Sequence, residues 1–209
     1  QLPAAMVDAV YLRGHYRWGT LTLKDGSELQ LELRRPTGRS REGELALCLS
    51  NTQGQVLSSA IFSITDQGRT LLIGCLQGAA AELGREAVRE LTKQCYGLRP
   101  KNLLHSLLLA FASFAGATQV RGVSNLAHPF AGEADKIKAD YDGFWEECQG
   151  VLQPDGFFAL PTSEPERSEL QVESKHRSAF RRREMLRREA CARLLAALRD
   201  QPLPLSQAA

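Results

Sequence analysis

The densest chemistry in this sequence is cationic. Residues 173–200 carry nine Lys/Arg against four acids, a local balance of +5, in a chain whose formal net charge is only +2. Three Glu-before-Arg steps at i, i+4 (Glu173–Arg177, Glu184–Arg188, Glu189–Arg193) offer local compensation. That leaves Lys175, Arg181, Arg182, Arg183 and Arg187 without a partner on the same helix. Arg181 to Arg183 sweep roughly 200° of helix surface, so they cannot all share one solvent face. Guanidinium forks match phosphate and carboxylate geometry. The segment Lys175-His176-Arg177 through Arg181-Arg182-Arg183 is therefore expected to bind an anion, and the plainer alternative is a solvated, salt-bridged helix.

Two further places have residues of the right type. Arg99-Pro100-Lys101-Asn102 stands at a predicted helix start. Cations there oppose the helix dipole, and an anion drawn onto the free N–H groups would reverse the sign; the plainer alternative is that both side chains extend into water. The loop Gly122-Val123-Ser124-Asn125-Leu126-Ala127-His128-Pro129 follows a short predicted strand. Ser124 and Asn125 can polarise a carbonyl, and His128 can accept a proton. No acid lies within four residues of His128 to orient it, so the plainer reading is a polar loop residue. Gly74-Cys75-Leu76-Gln77-Gly78 ends a strand without a P-loop or GxGxxG spacing, and Cys75 has no nameable base nearby. Tyr141-Asp142-Gly143-Phe144-Trp145-Glu146-Glu147 reads as core aromatics, with Glu146 or Glu147 expected to meet the basic helix.

The elements that must position these groups follow from periodicity. Tyr16–Leu23 and Glu28–Arg34 alternate around Asp25-Gly26, the strongest short hairpin signal. Glu44–Ser50, Val56–Thr65 and Thr70–Leu76 extend this into a five-strand meander. Helices are expected over Ala79–Tyr96, Asn102–Ala115 and Ala134–Cys148, with Thr118–Val123 and Phe157–Leu160 as short strands between and after them. Leu170–Glu173 is expected as a last strand, followed by the basic helix from Ser174, its N-cap, to Arg199. This order is α+β, a mixed but mostly antiparallel sheet flanked by helices. Residues 1–200 are expected to form one domain and 201–209 a frayed tail.

Composition narrows the class. In 209 residues, 43% are hydrophobic and 24% charged, which excludes wholesale disorder. The five cysteines are odd in number and widely spaced, with no CxxC, so neither a disulfide framework nor a metal site is expected and a reducing cytoplasm is. No apolar run reaches the roughly 18 residues of a membrane span. The chain begins at Gln1 without Met, so a native N-terminal part is expected to precede it.

Ile73-Gly74-Cys75-Leu76-Gln77-Gly78, Gly97-Leu98-Arg99-Pro100-Lys101-Asn102-Leu103-Leu104, Gly122-Val123-Ser124-Asn125, Tyr141-Asp142-Gly143-Phe144-Trp145 and Ser174-Lys175-His176-Arg177-Ser178-Ala179-Phe180-Arg181-Arg182-Arg183 resemble the VirK/YbjX family. The likeness runs from about Ala9 to Leu198. It implies a bacterial source, a longer N-terminus and an envelope- or virulence-associated role, but no agreed catalytic residues. The element order also resembles the GNAT acyltransferase architecture, in which Thr70–Leu76 and Thr118–Val123 would be the splayed central strands. Where GNAT enzymes hold a pyrophosphate, this chain reads Gln77-Gly78-Ala79-Ala80-Ala81, a departure that argues against ordinary acetyl-CoA. The resemblance implies an acyl- or aminoacyl-transferase with a large anionic donor, aminoacyl-tRNA or acyl carrier protein, and a small-molecule or peptide acceptor. Arg99, Lys101 and the basic helix would hold donor phosphates, and Ser124, Asn125 or His128 would act at the carbonyl; no bound cofactor is implied. The alternative is a non-catalytic module that binds RNA or anionic lipid.

Overall fold

A computed structural model describes residues 2–36, 42–79, 83–132, 139–165 and 168–200. The meander appears within one residue of the expected boundaries: β1 (His15–Thr22), β2 (Glu28–Arg34), β3 (Leu45–Ser50), β4 (Val56–Thr65) and β5 (Thr70–Gln77). Its first turn closes because Asp25 Oδ1 accepts the Ser27 N–H at 2.9 Å while Gly26 takes φ +83°, a conformation open to glycine. Two helices follow, α2 (Gly84–Gln94) and α3 (Pro100–Ala115), then β6 (Gln119–Val123), α4 (Tyr141–Glu147), β7 (Val151–Leu152) and β8 (Phe157–Leu160). The long basic helix, Arg177–Leu198, closes the order.

The strands form one sheet in the order β1-β2-β3-β4-β5-β6-β8-β7. All pairs are antiparallel except β5 with β6. This is the α+β, mostly antiparallel architecture of the sequence reading, with its two central strands parallel. Alternation gives the sheet two unlike faces. Leu29, Leu31, Leu33, Leu47, Leu49, Phe62, Leu71 and Ile73 are fully buried on one face. There α3 packs over β4, with Phe62 and Phe111 edge-to-face at 4.9 Å, and the basic helix packs over β1. Leu103, Leu104, Leu107 and Leu108 of α3 are also fully buried, each stabilising the fold by about 2 kcal/mol. On the opposite face Ala46, Cys48, Ile61 and Cys75 form a smaller cluster. Beside it the buried carboxylate of Glu32 receives Arg34 at 2.6 Å and Ser50 Oγ at 2.8 Å.

Several expectations are corrected. A helix not read from the sequence, Ala4–Arg13, precedes β1 and ends at Gly14 with φ +89°; we number it α1, so the basic helix is α5. Of the helix expected over Ala134–Cys148, residues 134–138 lie outside those described; among the described residues it starts at Tyr141, where extended Asp140 caps it by accepting the Gly143 N–H, and ends at Glu147. The start of the Ala79–Tyr96 helix falls partly outside them too, and the described helix begins at Gly84. Leu170–Glu173 is no strand; single 3-10 turns cover Glu169–Gln171 and Ser174–His176. Ser174 makes no cap bond, and α5 starts at Arg177. The tail expected at 201–209 lies outside the described residues. Among the described residues no helix is long and apolar enough to cross a membrane.

Candidate functional site at the parting of two parallel strands

β5 and β6 pair only from Thr70–Gln119 to Ile73–Gly122, while β5 runs on to Gln77. β6 itself ends at Val123, and a glycine stands on each strand where the pairing stops. A Cβ on Gly122 would sit 2.5 Å from the ring of Trp145, whose Nε1 donates to Val123 O at 2.8 Å. A Cβ on Gly74 would collide with the Glu42 carbonyl, which lies against a register shift between β4 and β5. The gap is wedged by Tyr141, whose Oη accepts the Leu76 N–H at 3.4 Å. Asn125 holds Tyr141 there. Its Oδ1 accepts the N–H groups of Tyr141 and Asp142 at 2.8 and 3.0 Å, and its Nδ2 donates to Ala139 O at 2.9 Å.

Around this wedge four side chains from distant segments converge. Tyr141 Oη donates to Cys75 Sγ at 3.3 Å. The Tyr141 ring stacks on His128 at 5.2 Å and 20°. His128 Nε2 lies 3.3 Å from Glu42 Oε1, close enough for charge attraction, yet makes no aligned hydrogen bond. Its Nδ1 accepts the Phe130 N–H at 3.2 Å. Burial pushes the Cys75 thiol up to about 12, so it stays protonated at neutral pH and is no ready nucleophile. Burial likewise holds the Tyr141 phenol above its ordinary range, with Cys75 adding to the effect. Burial lowers His128, against the pull of the Glu42 carboxylate.

Two cavities meet at Tyr141. One, of about 590 Å³, is lined by Arg34, Glu42, Cys48, Ser59, His128 and Tyr141 among others. The other, of about 580 Å³, has an apolar floor including Val88, Pro100 and Phe144 and a rim with Arg89, Arg99 and Lys101. Leu76, Gln77, Gly78, Ala139 and Tyr141 line both. Lys101 Nζ sits 4.3 Å over the Phe144 ring, and burial, followed by the neighbouring Arg99, lowers its pKa. Arg99 pairs with Glu147 and donates to Asn102 Oδ1 at 2.8 Å; Glu147 thus meets this rim and not the basic helix, contrary to expectation.

The expected site residues separate into groups. Arg99 and Lys101 lie on the rim of one cavity, and His128 lines the other. Ser124 is buried, its Oγ accepting the Ala127 N–H at 3.0 Å, and Asn125 is spent on α4. None of the basic-helix residues lines either cavity. Three of the five cations left unpartnered by the sequence find carboxylates: Lys175 pairs with Glu173 at 2.9 Å, Arg181 with Glu169 at 2.5 Å, and buried Arg187 with Glu164 and, at 3.4 Å, Glu184. Of the three i, i+4 pairs only Glu189–Arg193 forms, at 2.7 Å. His176 is exposed at the start of α5, and Arg177 Nε donates to Val172 O at 3.0 Å. Arg182 lies over the Tyr96 ring and Arg183 over Phe180, neither with a carboxylate partner among the described residues. Glu42 and Tyr141 escaped the sequence reading as site residues. Glu42 has no local pattern to mark it, whereas the aromatic next to Asp142-Gly143 was a usable signal.

The family described as "Protein of unknown function (DUF535)" matches residues 1–193. YbjX of Escherichia coli (strain K12) is 34% identical over 171 residues, which is 78% of this chain and 52% of that protein. A Haemophilus influenzae protein is 30% identical over 152 residues, 69% of this chain and 50% of its own length. The chain spans about half the length of these curated relatives. Among solved structures, a cAMP-binding acyltransferase from Mycobacterium smegmatis is similar over 95% of this chain and 62% of its own, at 11% identity and a TM-score of 0.37. Nourseothricin acetyltransferase is similar over 77% of this chain and 92% of its own, at 17% identity and a TM-score of 0.27. Scores this low carry no activity across.

Proposed function

The chain belongs to the DUF535 family, and from that membership and the cleft we propose that it transfers an acyl or aminoacyl group from a large, phosphate-bearing donor. One observation carries the reading: two cavities of similar size share Leu76, Gln77, Gly78, Ala139 and Tyr141 in their walls, beside the end of the parallel pairing of β5 and β6. A two-substrate transfer needs such a junction, with donor and acceptor approaching from opposite sides and the acyl carbon between them. On the rim Arg89 pairs with Glu86 and Arg99 with Glu147, so Lys101 is the cation that suits a donor phosphate, and the apolar floor suits the arm that carries the acyl group. The cavity bordered by Glu42 and His128 then takes the acceptor. Because Cys75 is buried and offers no exposed nucleophile, the reading favours direct attack of acceptor on donor over a covalent enzyme intermediate. Most of the acceleration would come from holding the two reactants in line. Arg182 and Arg183, without a carboxylate partner among the described residues and beside the turn that leads into α3, extend the basic surface toward a carrier as large as tRNA or acyl carrier protein.

Lys101 tests the reading, since its ammonium has no carboxylate partner among the described residues. Titration with aminoacyl-tRNA, acyl carrier protein and acyl-CoA, each acylated and deacylated, is expected to find one donor whose binding weakens about tenfold in Lys101→Ala and recovers in Lys101→Arg, as loss of one charged contact implies. Binding that ignores both Lys101 and the acyl group would overturn it and favour a non-catalytic anion-binding module acting through Lys175, Arg177 and Arg181 to Arg183.

A further inference from the structure

Three side chains with different ligand chemistry meet at the wedge. Glu42 comes from the connection before β3, Cys75 from β5 and His128 from the loop after β6. One carboxylate oxygen, Sγ and one ring nitrogen all lie within 4.8 Å of one another. Around a tetrahedral ion with bonds of roughly 2.0–2.3 Å, such atoms stand about 3.3–3.8 Å apart. Glu42 Oε1 and His128 Nε2 are already 3.3 Å apart.

We propose that Cys75, His128 and Glu42 hold one divalent transition-metal ion of the zinc type, with its remaining position toward the cavity that Glu42, His128 and Tyr141 line. The donor set is chosen for such an ion: thiolate and imidazole select zinc, cobalt or iron over magnesium and calcium, which prefer oxygen. Thiolate and carboxylate supply two negative charges against the ion's two positive ones, so the buried complex is neutral where a bare thiolate would be costly. His128 is nine-tenths buried, and its Nε2, turned toward Glu42, has no aligned hydrogen bond. The surroundings also fit. Tyr141 Oη donates to Sγ at 3.3 Å, the outer contact that fixes a ligating sulfur. The Gly74 contact holds the Glu42 backbone against β5.

Proton accounting gives the proposal a signature. Binding breaks the Cys75 S–H bond, forms the metal–sulfur bond and releases that proton to solvent. In His128 the proton moves from Nε2 to Nδ1 as the Nε2 lone pair turns to the metal. The ring then no longer accepts from Phe130 N–H, so the His128–Phe130 turn must rearrange. This inference stands apart from the acyl-transfer reading, because its readout is metal binding alone.

The test is a titration of the reduced, chelator-treated full chain with Co²⁺ in weak buffer. We expect a thiolate-to-cobalt charge-transfer band saturating at one equivalent, with one proton released per ion and loss of protection at the Phe130 amide. Cys75→Ser is expected to abolish the band while Cys48→Ser keeps it. Glu42→Gln and His128→Asn, which preserve shape, are expected to lose binding at micromolar Co²⁺ even if the serine variant folds poorly. Tyr141→Phe is expected to bind about tenfold more weakly. A wild-type chain with no charge-transfer band at millimolar Co²⁺, or a band that survives both Glu42→Gln and His128→Asn, overturns the proposal.

Discussion

Two histidine–carboxylate clusters flank α4, alike in composition and unlike in surroundings. His128 lies 3.3 Å from Glu42, and His105 lies 4.0 Å from Glu164. Both rings are buried, at 5% and 6% exposure, and burial lowers the pKa of both. The first borders a cavity of about 590 Å³, whereas the second borders a void of about 30 Å³. The second also contains its own cation, since Glu164 receives Arg187 from α5 and Ser106 Oγ from α3. It therefore closes on itself and clamps the loop after β8 between two helices, while the first keeps its ligand atoms beside open space. Residue type does not separate a site from a brace here, nor does a bare ring nitrogen, since Nε2 of both histidines is without a hydrogen bond; room and the cation that meets Glu164 do.

The sharpest way to break this contrast is to empty the brace. Arg187→Leu strands the Glu164 carboxylate among buried groups, and removing one partner of a buried pair costs about 3 kcal/mol or more. Urea unfolding should show that loss, while Co²⁺ and donor binding by the remaining folded protein stay unchanged. Adding Glu164→Leu should restore most of the stability, since an apolar pair can replace an ionic one. A neutral Arg187→Leu would mean that the two clusters do not differ in this way.

The next largest effect comes with pH. Burial, only partly offset by Glu164, lowers His105 from 6.5 to about 4. The unfolded chain binds the proton first, so stability is full above about pH 6.5 and declines as the pH falls toward 4. The span of 2.5 units corresponds to about 3 kcal/mol. Unfolding free energies at pH 7 and 4.5 should show this decline in the wild type and a smaller one in His105→Gln. An identical decline in both would move the acid sensitivity elsewhere in the molecule.

These contrasts explain what the sequence could reveal. The meander was legible because Leu29, Leu31 and Leu33 alternate and Asp25-Gly26 closes the turn; α3 was legible because its apolar run leaves no solvent face. Helix α1 was not, since Met6, Ala9 and Val10 make only a short stripe with no side-chain cap. Leu170–Glu173 has apolar alternation but no neighbouring strand to pair with. At the site, His128 is marked by its place after β6, but no acid lies within four residues of it. Glu42 arrives from across the sheet, held by a glycine contact that no local pattern encodes. The charge reading counts partners on the helix alone, and for the same reason it does not see Glu164 and Glu169, before the helix, which pair with Arg187 and Arg181.

The smallest effect belongs to Asn125, which the sequence marked for chemistry and the structure spends on geometry. Its amide joins the loop after β6 to the first turn of α4, satisfying two N–H groups that the helix cannot satisfy itself. Asn125→Ala should cost about 1–2 kcal/mol, the value of a lost cap. Asn125→Asp keeps the acceptor oxygen and adds a charge that suits the helix N-terminus, though beside Asp140 and Asp142, so it should recover part of that cost. Both lose the bond to Ala139 O, and that bond fixes where Tyr141 enters the gap. Co²⁺ affinity should therefore fall modestly in both variants even where Asp restores stability. A residue that only stabilised the loop would show stability and affinity recovering together. The same pair of substitutions on the brace side has no counterpart, because nothing there has to be held beside an opening.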